Sequence, residues 1–315
     1  MHPRIAVVQF SAIDCLLMHG DKRTNGSVCP GSVSTDLASG LEKIMNILSK
    51  VEPWNMVAEG YAIAAGDLFR AYSQATLLHA QVGPEMYVAD IACGPGTLTT
   101  LLAERGAKVA AVDFSHEMLA ILEQHILDNS VSGVSLHQAD GQNLPFPDDE
   151  FDISFSLFGL MFFPDRTKGY AEMLRILCPG GWGYVSSWSK LSDSPLFSVM
   201  AETIYRIDPA RAAPHYDITS LENPDVMESE MIAAGFQDVT ISRLEHGSLF
   251  RSAEALWNSF VAASAPITFL KSQMPEEVWR AKTEEALRYI RKQAGPFPVQ
   301  LGTVAWLGSG RKPLD

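Results

Sequence analysis

The sequence predicts an α/β fold in which a mostly parallel sheet carries helices on both of its faces. Between residues 86 and 188, short β-like runs alternate with helical patterns, and the loops that join them are short. Residues that typically end a helix, Gly83-Pro84 and Gly106, each lie between a helical pattern and the β-like run that follows it. Strands that alternate with helices in this way pair in parallel, because each crossover helix packs back onto the sheet.

Five strands and the helices around them follow from this alternation. A stripe of apolar residues at helical spacing between Ala58 and Val82 predicts a helix ahead of the sheet. Ser115 is the predicted N-cap of the helix after the second strand. The predicted strands are 86–92, 107–113, 133–140, 151–158 and 182–188, and the predicted helices between them are 97–106, 115–129 and 165–177.

The pattern changes after the fifth strand. Residues 189–221 contain Pro195, Pro209 and Pro214 and predict an irregular segment. Beyond it, the sequence predicts a helix over 224–236, a strand over 237–245, two helices within 252–294 and a final strand over 299–308.

Composition and charge narrow the classes of function. The chain has 315 residues, of which 47% are hydrophobic and 19% charged, as in a globular protein with a sizeable core. Its 24 basic and 37 acidic side chains give a formal net charge of 24 − 37 = −13, and its pI is about 5.0. This balance argues against DNA, RNA or an anionic membrane as the partner, since phosphate contacts need clustered Lys and Arg.

Residues 1–44 are expected to form an appendage ahead of one domain that spans 45–315. The appendage is expected to be disordered, an organelle address, or an extra element that covers an edge. Its apolar stretch, broken by Asp14, predicts neither a membrane span nor a secretory signal. The four cysteines have no CxxC or zinc-finger spacing, so we interpret them as free thiols of a cytoplasmic protein and expect no metal site. They are Cys15, Cys29, Cys93 and Cys178.

A Gly-rich stretch, "VADIACGPGTLT" (88–99), joins the first strand to the next helix. A P-loop would need a lysine after its glycines, and this stretch has none. A dinucleotide fingerprint would need a third glycine where this chain has Thr99. What remains is a turn around Gly94 and Gly96 that either holds another nucleotide-like ligand or only reverses the chain.

Three carboxylates at strand ends favour the ligand. Asp90 lies inside the first strand, Asp113 ends the second and Asp140 ends the third. An acid at the end of the second strand accepts ribose hydroxyls in nucleotide folds. Each acid alone is equally well explained as a loop residue or a helix cap, but their joint spacing is not.

The stretches "VADIACGPGTLT", "VAAVDFSHEML", "ADGQNLPFPDDEFDISFSLFGLMFFPD" and "MLRILCPGGWGYVSSW" form an ordered set. Over residues 54–245, this set resembles the class I S-adenosylmethionine-dependent methyltransferases, in particular the small-molecule group that includes the ubiquinone and menaquinone C-methyltransferases. The resemblance implies a Rossmann-like seven-strand sheet, mostly parallel with an antiparallel last strand. We expect the segments outside this pattern to form a helical cap over the strand ends; they are 46–82, 189–221 and 247–298.

The resemblance also implies that the cofactor is S-adenosyl-L-methionine. Asp90 would organise its methionine end and Asp113 its ribose, while Phe114 and Met118 would flank the adenine. Ser156 and Phe158 would line the floor of the site. The full set of implied cofactor-binding residues is Trp54, Tyr61, Asp90, Ala92, Gly94, Gly96, Asp113, Phe114, Met118, Asp140, Gly141, Gln142, Ser156 and Phe158.

Further segments bear on the methyl acceptor. "SLFGLMFF" stands where amino-methylating DNA enzymes carry Asn/Asp-Pro-Pro-Tyr, so base methylation is not expected. It also lacks the polar G-x-R-N of the ubiquinone type. Four scattered cysteines do not supply the ligands of arsenite chemistry. "GPFPVQ" and "LGTVAWLGSGRKP" are loosely similar to a fungal methyltransferase of dithiol secondary metabolites.

We therefore expect methyl transfer to a small, largely apolar acceptor, with a thiol favoured over hydroxyl or carbon, by a monomer or homodimer. The alternative is a fold that binds S-adenosylmethionine without methyl transfer, either a regulatory binder or a cofactor-assisted cyclase. His79, His215 and His246 are candidate general bases, and none is singled out. The candidate substrate-binding residues are Phe162, Trp188 and His215, and further aromatic residues that fit a pocket or the core are Phe163, Phe250, Trp257, Phe260 and Phe269.

Overall fold

The computed structural model describes residues 48–208 and 220–314, so the predicted appendage 1–44 lies outside it. In chain order, strands β1 to β7 are Tyr87–Ile91, Lys108–Asp113, Val134–Gln138, Phe151–Leu157, Leu177–Trp188, Gln237–Phe250 and Val299–Arg311. They form one sheet in the order β3-β2-β1-β4-β5-β7-β6. The pairs β1–β2, β1–β4, β2–β3 and β4–β5 are parallel, and β7 runs antiparallel to both of its neighbours, β5 and β6, which confirms the predicted sheet.

Helices cover the sheet and extend beyond it. In chain order, α1 to α9 are Val51–His79, Thr97–Ala103, His116–Asp128, Arg166–Ile176, Pro195–Ile207, Pro224–Ala234, Ala253–Ala263, Ala265–Ser272 and Glu276–Gln293. The predicted cap of α3 is confirmed, since the Ser115 hydroxyl accepts a hydrogen bond from the backbone N–H of Met118 at 3.2 Å. Every helix in the described ranges is too short or too polar to cross a bilayer.

The central strands are held by apolar residues that are buried on both faces of the sheet. Val88 of β1 pairs with Val109 of β2 on one side and with Ile153 of β4 on the other, and all three are buried. Because β1 to β4 run in the same direction, the loops that follow them meet at one edge of the sheet. Ligands of such sheets bind at this edge, so the topology positions the site.

The sequence prediction did not include helix α5. Residues 189–221 were predicted to be irregular, but α5 occupies part of that segment. Pro195 is the first residue of α5, where a missing N–H costs no hydrogen bond. Leu196, Phe197 and Ile204 are buried by it. Prolines therefore start this helix instead of preventing it.

Two other predictions were wrong in extent. Residues 252–294 form three helices instead of two, because Ser264 and a proline near the start of α8 interrupt the first. Strand β5 begins at Leu177 instead of residue 182, and its pairing with β4 shifts register between Phe151 and Ile153. The sequence Pro179-Gly180-Gly181, between the predicted helix 165–177 and the predicted strand 182–188, lies in this part of β5.

The segments predicted to form a cap pack against one another. Trp257 of α7 stacks on Trp279 of α9, with ring centroids 5.7 Å apart. The Tyr289 hydroxyl of α9 donates a hydrogen bond to Glu202 of α5. Helix α1 approaches α7 so closely at Gly60 that a Cβ there would lie 2.7 Å from the carbonyl oxygen of Ala262.

Gly60 and Gly66, both in α1, make a matched pair for testing this contact. A Cβ at Gly66 would meet nothing within 4 Å, so Gly66→Ala should raise the free energy of unfolding by about 1 kcal/mol through helix propensity. Gly60→Ala should lower it by about 1–2 kcal/mol, because overpacking against α7 exceeds the same gain. Urea unfolding measures both, and equal stabilisation by the two substitutions would contradict the packing.

Candidate functional site

The loops after β1 to β4 bend sharply at the carboxyl edge of the sheet. The backbone φ is +56° at Ala92, +55° at Gly94 and +58° at Phe158, a region that L side chains rarely adopt. At Ala92 and Phe158 this costs on the order of 1–3 kcal/mol each, and such strain concentrates at functional sites. A Cβ on Gly159 would lie only 2.4 Å from the Cβ of Ala92, so the loops after β1 and β4 touch.

Asp113 ends β2 and joins two of these loops. One carboxylate oxygen accepts a hydrogen bond from the backbone N–H of Gly94 at 2.8 Å, and the other accepts from the N–H of Ser115 at 2.9 Å. Burial raises the pKa of this carboxyl to about 6, although both hydrogen bonds act in the opposite direction. A second lone pair on each oxygen is left for a ligand.

Asp90 lies one strand away and is also buried. The hydroxyl of Thr99 donates a hydrogen bond to its carboxylate at 2.6 Å. Burial raises the pKa of Asp90 to about 7, Thr99 lowers it, and the charge of Asp113 raises it further. Thr99, which breaks the dinucleotide pattern, therefore holds a buried carboxylate where a third glycine could not.

Asp140 follows β3 and is tied to Gln142. The backbone N–H of Gln142 donates to Asp140 at 2.9 Å, and its side-chain amide donates to both carboxylate oxygens at 3.0 and 3.1 Å. The amide oxygen of Gln142 accepts from the N–H of Asp165, the N-cap of α4, at 2.9 Å. The loops after β3 and β4 are thereby fixed to each other.

Helix α1 closes the site from above with aromatic side chains. The rings of Trp54 and Phe162 lie 4.9 Å apart, and those of Tyr61 and Phe69 stack at 5.2 Å. Burial raises the pKa of Tyr61 well above its usual range, and the charge of Asp113 adds to this rise. Helix α1 is also hydrogen-bonded to the start of α3, since the Ser115 hydroxyl donates to the Asn55 side chain at 2.6 Å.

These elements enclose the rim cavity, which we define as the space between the loops after β1 to β4 and residues Trp54 and Tyr61. The structure brings most of the implied cofactor-binding residues to its walls. These are Trp54, Tyr61, Asp90, Ala92, Gly94, Asp113, Phe114, Met118, Asp140, Gly141, Gln142 and Phe158.

Gly96 and Ser156 are not on those walls. Gly96 has a φ of +82°, and a Cβ there would lie 2.2 Å from the side chain of Leu122, so its position is explained by the packing of α2 on α3. Ser156 is fully buried, its hydroxyl has no hydrogen-bond partner among the described residues, and it lies 3.1 Å from where a Cβ of Gly159 would be.

A second space, the cap cavity, lies between α1, α5, α7 and the end of β6 and holds about 1640 Å³ with its open mouth included. It shares a wall with the rim cavity, formed by Leu48, Trp54, Tyr61, Phe69, Phe158 and Phe162. We call these six residues the shared wall. The two cavities therefore adjoin along a mostly aromatic surface.

The candidate substrate-binding residues divide between several places. Phe162 and Trp188 line the cap cavity, as do Phe250 and Phe260. His215 lies outside the described residues. Trp257 is core, and Phe163 lines only the rim cavity. Of the candidate bases, His246 lines the cap cavity, whereas the exposed His79 lines neither cavity.

Sequence reasoning missed a group of residues on these walls. Leu48 and Phe69 belong to the shared wall, and Asn55 links α1 to Ser115. The helical stripe of α1 contains Phe69 but does not separate core residues from cavity residues. Helix α5 adds four residues to the cap cavity that were in a segment predicted to be irregular; they are Leu196, Phe197, Met200 and Ile204.

The charge of the rim cavity selects among ligands. Asp90, Asp113 and Asp140 line it, whereas its described lining residues include neither Lys nor Arg. A dinucleotide or nucleotide triphosphate would bring phosphate charge to this acidic surface. A ligand with a ribose, an adenine and a positive charge but no phosphate fits these donors and acceptors, as S-adenosylmethionine does.

Comparison with known proteins agrees with this chemistry. Residues 89–185 match a family model described as a methyltransferase domain. A ubiquinone/menaquinone biosynthesis C-methyltransferase of Ectopseudomonas mendocina is 32% identical over 200 residues, which cover 59% of this chain and 78% of that protein.

Two further similarities are more limited. An uncharacterized protein of Mycobacterium tuberculosis is 33% identical over 129 residues, 41% of this chain and 47% of that protein, so the match spans about half its length. The structure of phosphoethanolamine N-methyltransferase 2 of Haemonchus contortus with S-adenosyl-L-methionine has a TM-score of 0.54 at 18% identity. It covers 86% of this chain and 60% of that chain, and it shows a shared fold.

The seven-strand fold, the acidic lining of the rim cavity and these similarities lead to one assignment. The chain belongs to the class I S-adenosylmethionine-dependent methyltransferases, enzymes whose cofactor is S-adenosyl-L-methionine.

Proposed function

We propose that this enzyme methylates a small, largely apolar acceptor, with a thiol favoured over hydroxyl or carbon. The observation that carries this proposal is the shared wall, where the rim cavity and the cap cavity adjoin. A methyl donor in the rim cavity and a methyl acceptor in the cap cavity would meet beside Tyr61, Phe158 and Phe162. These rings would exclude water and align the reacting atoms.

The rim cavity is assigned to the cofactor. Asp113 would accept hydrogen bonds from the ribose, Phe114 and Met118 would flank the adenine, and Asp140 with Gln142 would bind the adenine edge. When bound, S-adenosylmethionine supplies a methyl carbon already activated by a positively charged sulfur. The chain therefore needs only to bind, orient and desolvate the reactants.

The cap cavity is assigned to the acceptor. Its walls are mainly apolar, with Leu196, Phe197 and Met200 on α5 facing Phe260 of α7. Its described lining residues include no Lys or Arg, so a phosphate or carboxylate on the acceptor would have neither of these partners among them. We infer an uncharged acceptor that buries most of its surface in this cavity.

The preference for sulfur follows from how easily the acceptor ionises. A thiol with an ordinary pKa near ~8.5 is a few per cent thiolate at neutral pH, whereas a phenol near ~10 is almost entirely protonated. Among the described residues, His246 is the only imidazole that lines the cap cavity, and no triad is formed around it. A nucleophile that needs little activation suits such a site.

The domain organisation and location of the enzyme belong to the same proposal. We propose that residues 45–315 form one domain in which 46–82, 189–221 and 247–298 act as the cap, as the contacts of α1, α5, α7 and α9 support. We further propose a cytoplasmic monomer or homodimer in secondary metabolism. Cys93 and Cys178 are free thiols, in agreement with a reducing compartment.

Asp113 gives the sharpest test of the cofactor assignment. Asp113→Asn replaces an acceptor oxygen with a donor, so S-adenosylmethionine affinity should fall about 10- to 150-fold, the equivalent of about 1.5–3 kcal/mol. Calorimetry measures the dissociation constant. Asp128→Asn, an exposed change on α3 outside both cavities, is the control, and equal affinities for the two variants would refute the role of Asp113.

The raised pKa values predict opposite effects of pH on binding and stability. Between pH 5.5 and 8, Asp90 and Asp113 lose protons, with pKa values of about 7 and 6. The ionised pair attracts the positively charged cofactor, so affinity should rise roughly tenfold over this range. An affinity that is flat across it, measured by calorimetry, would contradict ionisation at these two sites.

In the ligand-free enzyme, ionisation of these two carboxyl groups should lower the free energy of unfolding. The folded pKa of each group lies above the unfolded value near ~3.9. At pH values between these two pKa values, the folded state therefore binds more protons than the unfolded state. The two groups therefore stabilise the fold fully below about pH 4, and this contribution is lost as the pH rises through 6 and 7. Asp90→Asn should flatten this decline in urea unfolding.

Turnover on matched acceptors tests the chemistry. Production of S-adenosylhomocysteine from an aromatic thiol should exceed that from the equivalent phenol or quinol at pH 7, and the gap should narrow as pH rises and the phenol ionises. A phenol rate equal to the thiol rate at pH 7 would refute the sulfur preference. Release of no product from any acceptor would favour a binder without transfer.

Met200→Trp tests whether the acceptor binds in the cap cavity. Met200 lines the cap cavity and not the rim cavity. A larger side chain there should raise the acceptor KM about tenfold or more while the affinity for S-adenosylmethionine stays within about twofold. Met200→Leu keeps the volume and should change neither.

A further inference from the structure

We propose that His246 is the catalytic base that accepts the proton of the acceptor. This inference rests on the proposed function, because it concerns an acceptor bound in the cap cavity. His246 lies on β6 and lines that cavity. Its ring nitrogens make no hydrogen bond with any residue in the described ranges and can therefore face the acceptor.

The other titratable groups of the cap cavity are poorly suited to this role. Asp67 of α1 lines the cavity but is exposed, and an ordinary carboxylate is too weak a base for a thiol proton. Burial raises the pKa of Tyr61 and keeps its hydroxyl protonated. An imidazole is the side chain whose ordinary proton affinity falls between these extremes, near neutral pH.

Tyr72 and Thr303 fix His246 from two sides. The rings of Tyr72 and His246 lie 6.2 Å apart, edge to face. The Thr303 hydroxyl donates to the carbonyl of His246 at 3.2 Å, and the hydroxyls of Tyr72 and Thr303 are 2.9 Å apart. Since the Thr303 proton goes to the backbone carbonyl of His246, Tyr72 is the donor to Thr303. These bonds hold the backbone at His246, and the imidazole itself packs against the ring of Tyr72.

The same tyrosine places His246 near the shared wall. The ring of Tyr72 lies 5.3 Å from that of Phe158 and 5.3 Å from that of Trp188. One aromatic ring therefore separates the imidazole from Phe158, where the two cavities adjoin. An acceptor lying along this face would reach both the imidazole and the methyl group.

Few charges surround the imidazole. On β6, Arg243 and Glu245 pair with each other, and Asp67 faces the cavity from α1. The lining residues from α5 and α7 include no titratable group, and the residue paired with His246 on β7 is Thr303.

With a thiol as the acceptor, one proton and one methyl group are transferred. The imidazole takes the S–H proton of the acceptor and later releases it to solvent. The thiolate electron pair forms the new S–C bond, the C–S⁺ bond of the donor breaks, and its electron pair neutralises the sulfonium. The products are a methyl thioether, S-adenosylhomocysteine and one proton.

A pair of thiols that differ in acidity tests the base directly. His246→Gln should slow methylation of a weakly acidic benzyl thiol about 100-fold at pH 7, but that of a nitrothiophenol, which is already ionised, by less than about threefold. His79→Gln, a histidine outside both cavities, is the matched control and should slow neither. Calorimetry with S-adenosylhomocysteine shows whether each variant retains its cofactor site.

A second measurement does not depend on turnover. The absorbance of an aromatic thiolate, titrated in the complex of the enzyme with S-adenosylhomocysteine, should show ionisation at lower pH in the wild type than in His246→Gln.

The outcomes separate this inference from the proposed function. Equal losses with both thiols would make His246 a structural residue, and no loss with either would make it irrelevant; each overturns the proposal. If the wild type methylates phenols but not thiols, the sulfur preference fails, and the same comparison with a phenol and a nitrophenol decides the role of His246. If the wild type methylates nothing, the proposed function fails and this inference fails with it.

Discussion

The carboxylate of Asp113 connects the parts of this enzyme that must act together. It accepts hydrogen bonds from Gly94 in the loop after β1 and from Ser115 at the start of α3. Ser115 in turn donates to Asn55 of α1, the helix that covers the site. The sheet, the Gly-rich loop and the covering helix are thus joined through one buried acid, and its ionisation affects all three.

This arrangement keeps negative charge in a place where it is costly. Burial raises the pKa of both Asp90 and Asp113 towards neutrality, and no Lys or Arg among the described wall residues offsets them. The two buried charges destabilise the ligand-free state, and the same charges attract a cationic ligand. The hydroxyl of Thr99 and two backbone N–H groups make this cost tolerable without neutralising the carboxylates.

The sequence predicted the walls of the rim cavity better than those of the cap cavity. The Gly-rich turn and the acids at strand ends are local patterns, and a parallel sheet brings strand ends together whatever the rest of the chain does. The cap depends on contacts between distant segments. Nothing in the local pattern separates Trp257, which is core, from Phe260, which lines the cap cavity, because both lie on the buried side of α7. The prolines around α5 were also ambiguous, since proline starts a helix as readily as it breaks one.

The two cavities also draw on different parts of the chain. Most walls of the rim cavity come from the parallel strands and their loops, within the region that matches a methyltransferase domain. Most walls of the cap cavity come from α1, α5, α7 and the end of β6, outside that region. The match to the methyltransferase domain therefore bears on the rim cavity and carries little information on the cap cavity. Met200, His246 and Phe260 lie beyond the matched region, so the chemistry of the cap cavity is set by side chains that the family pattern does not describe.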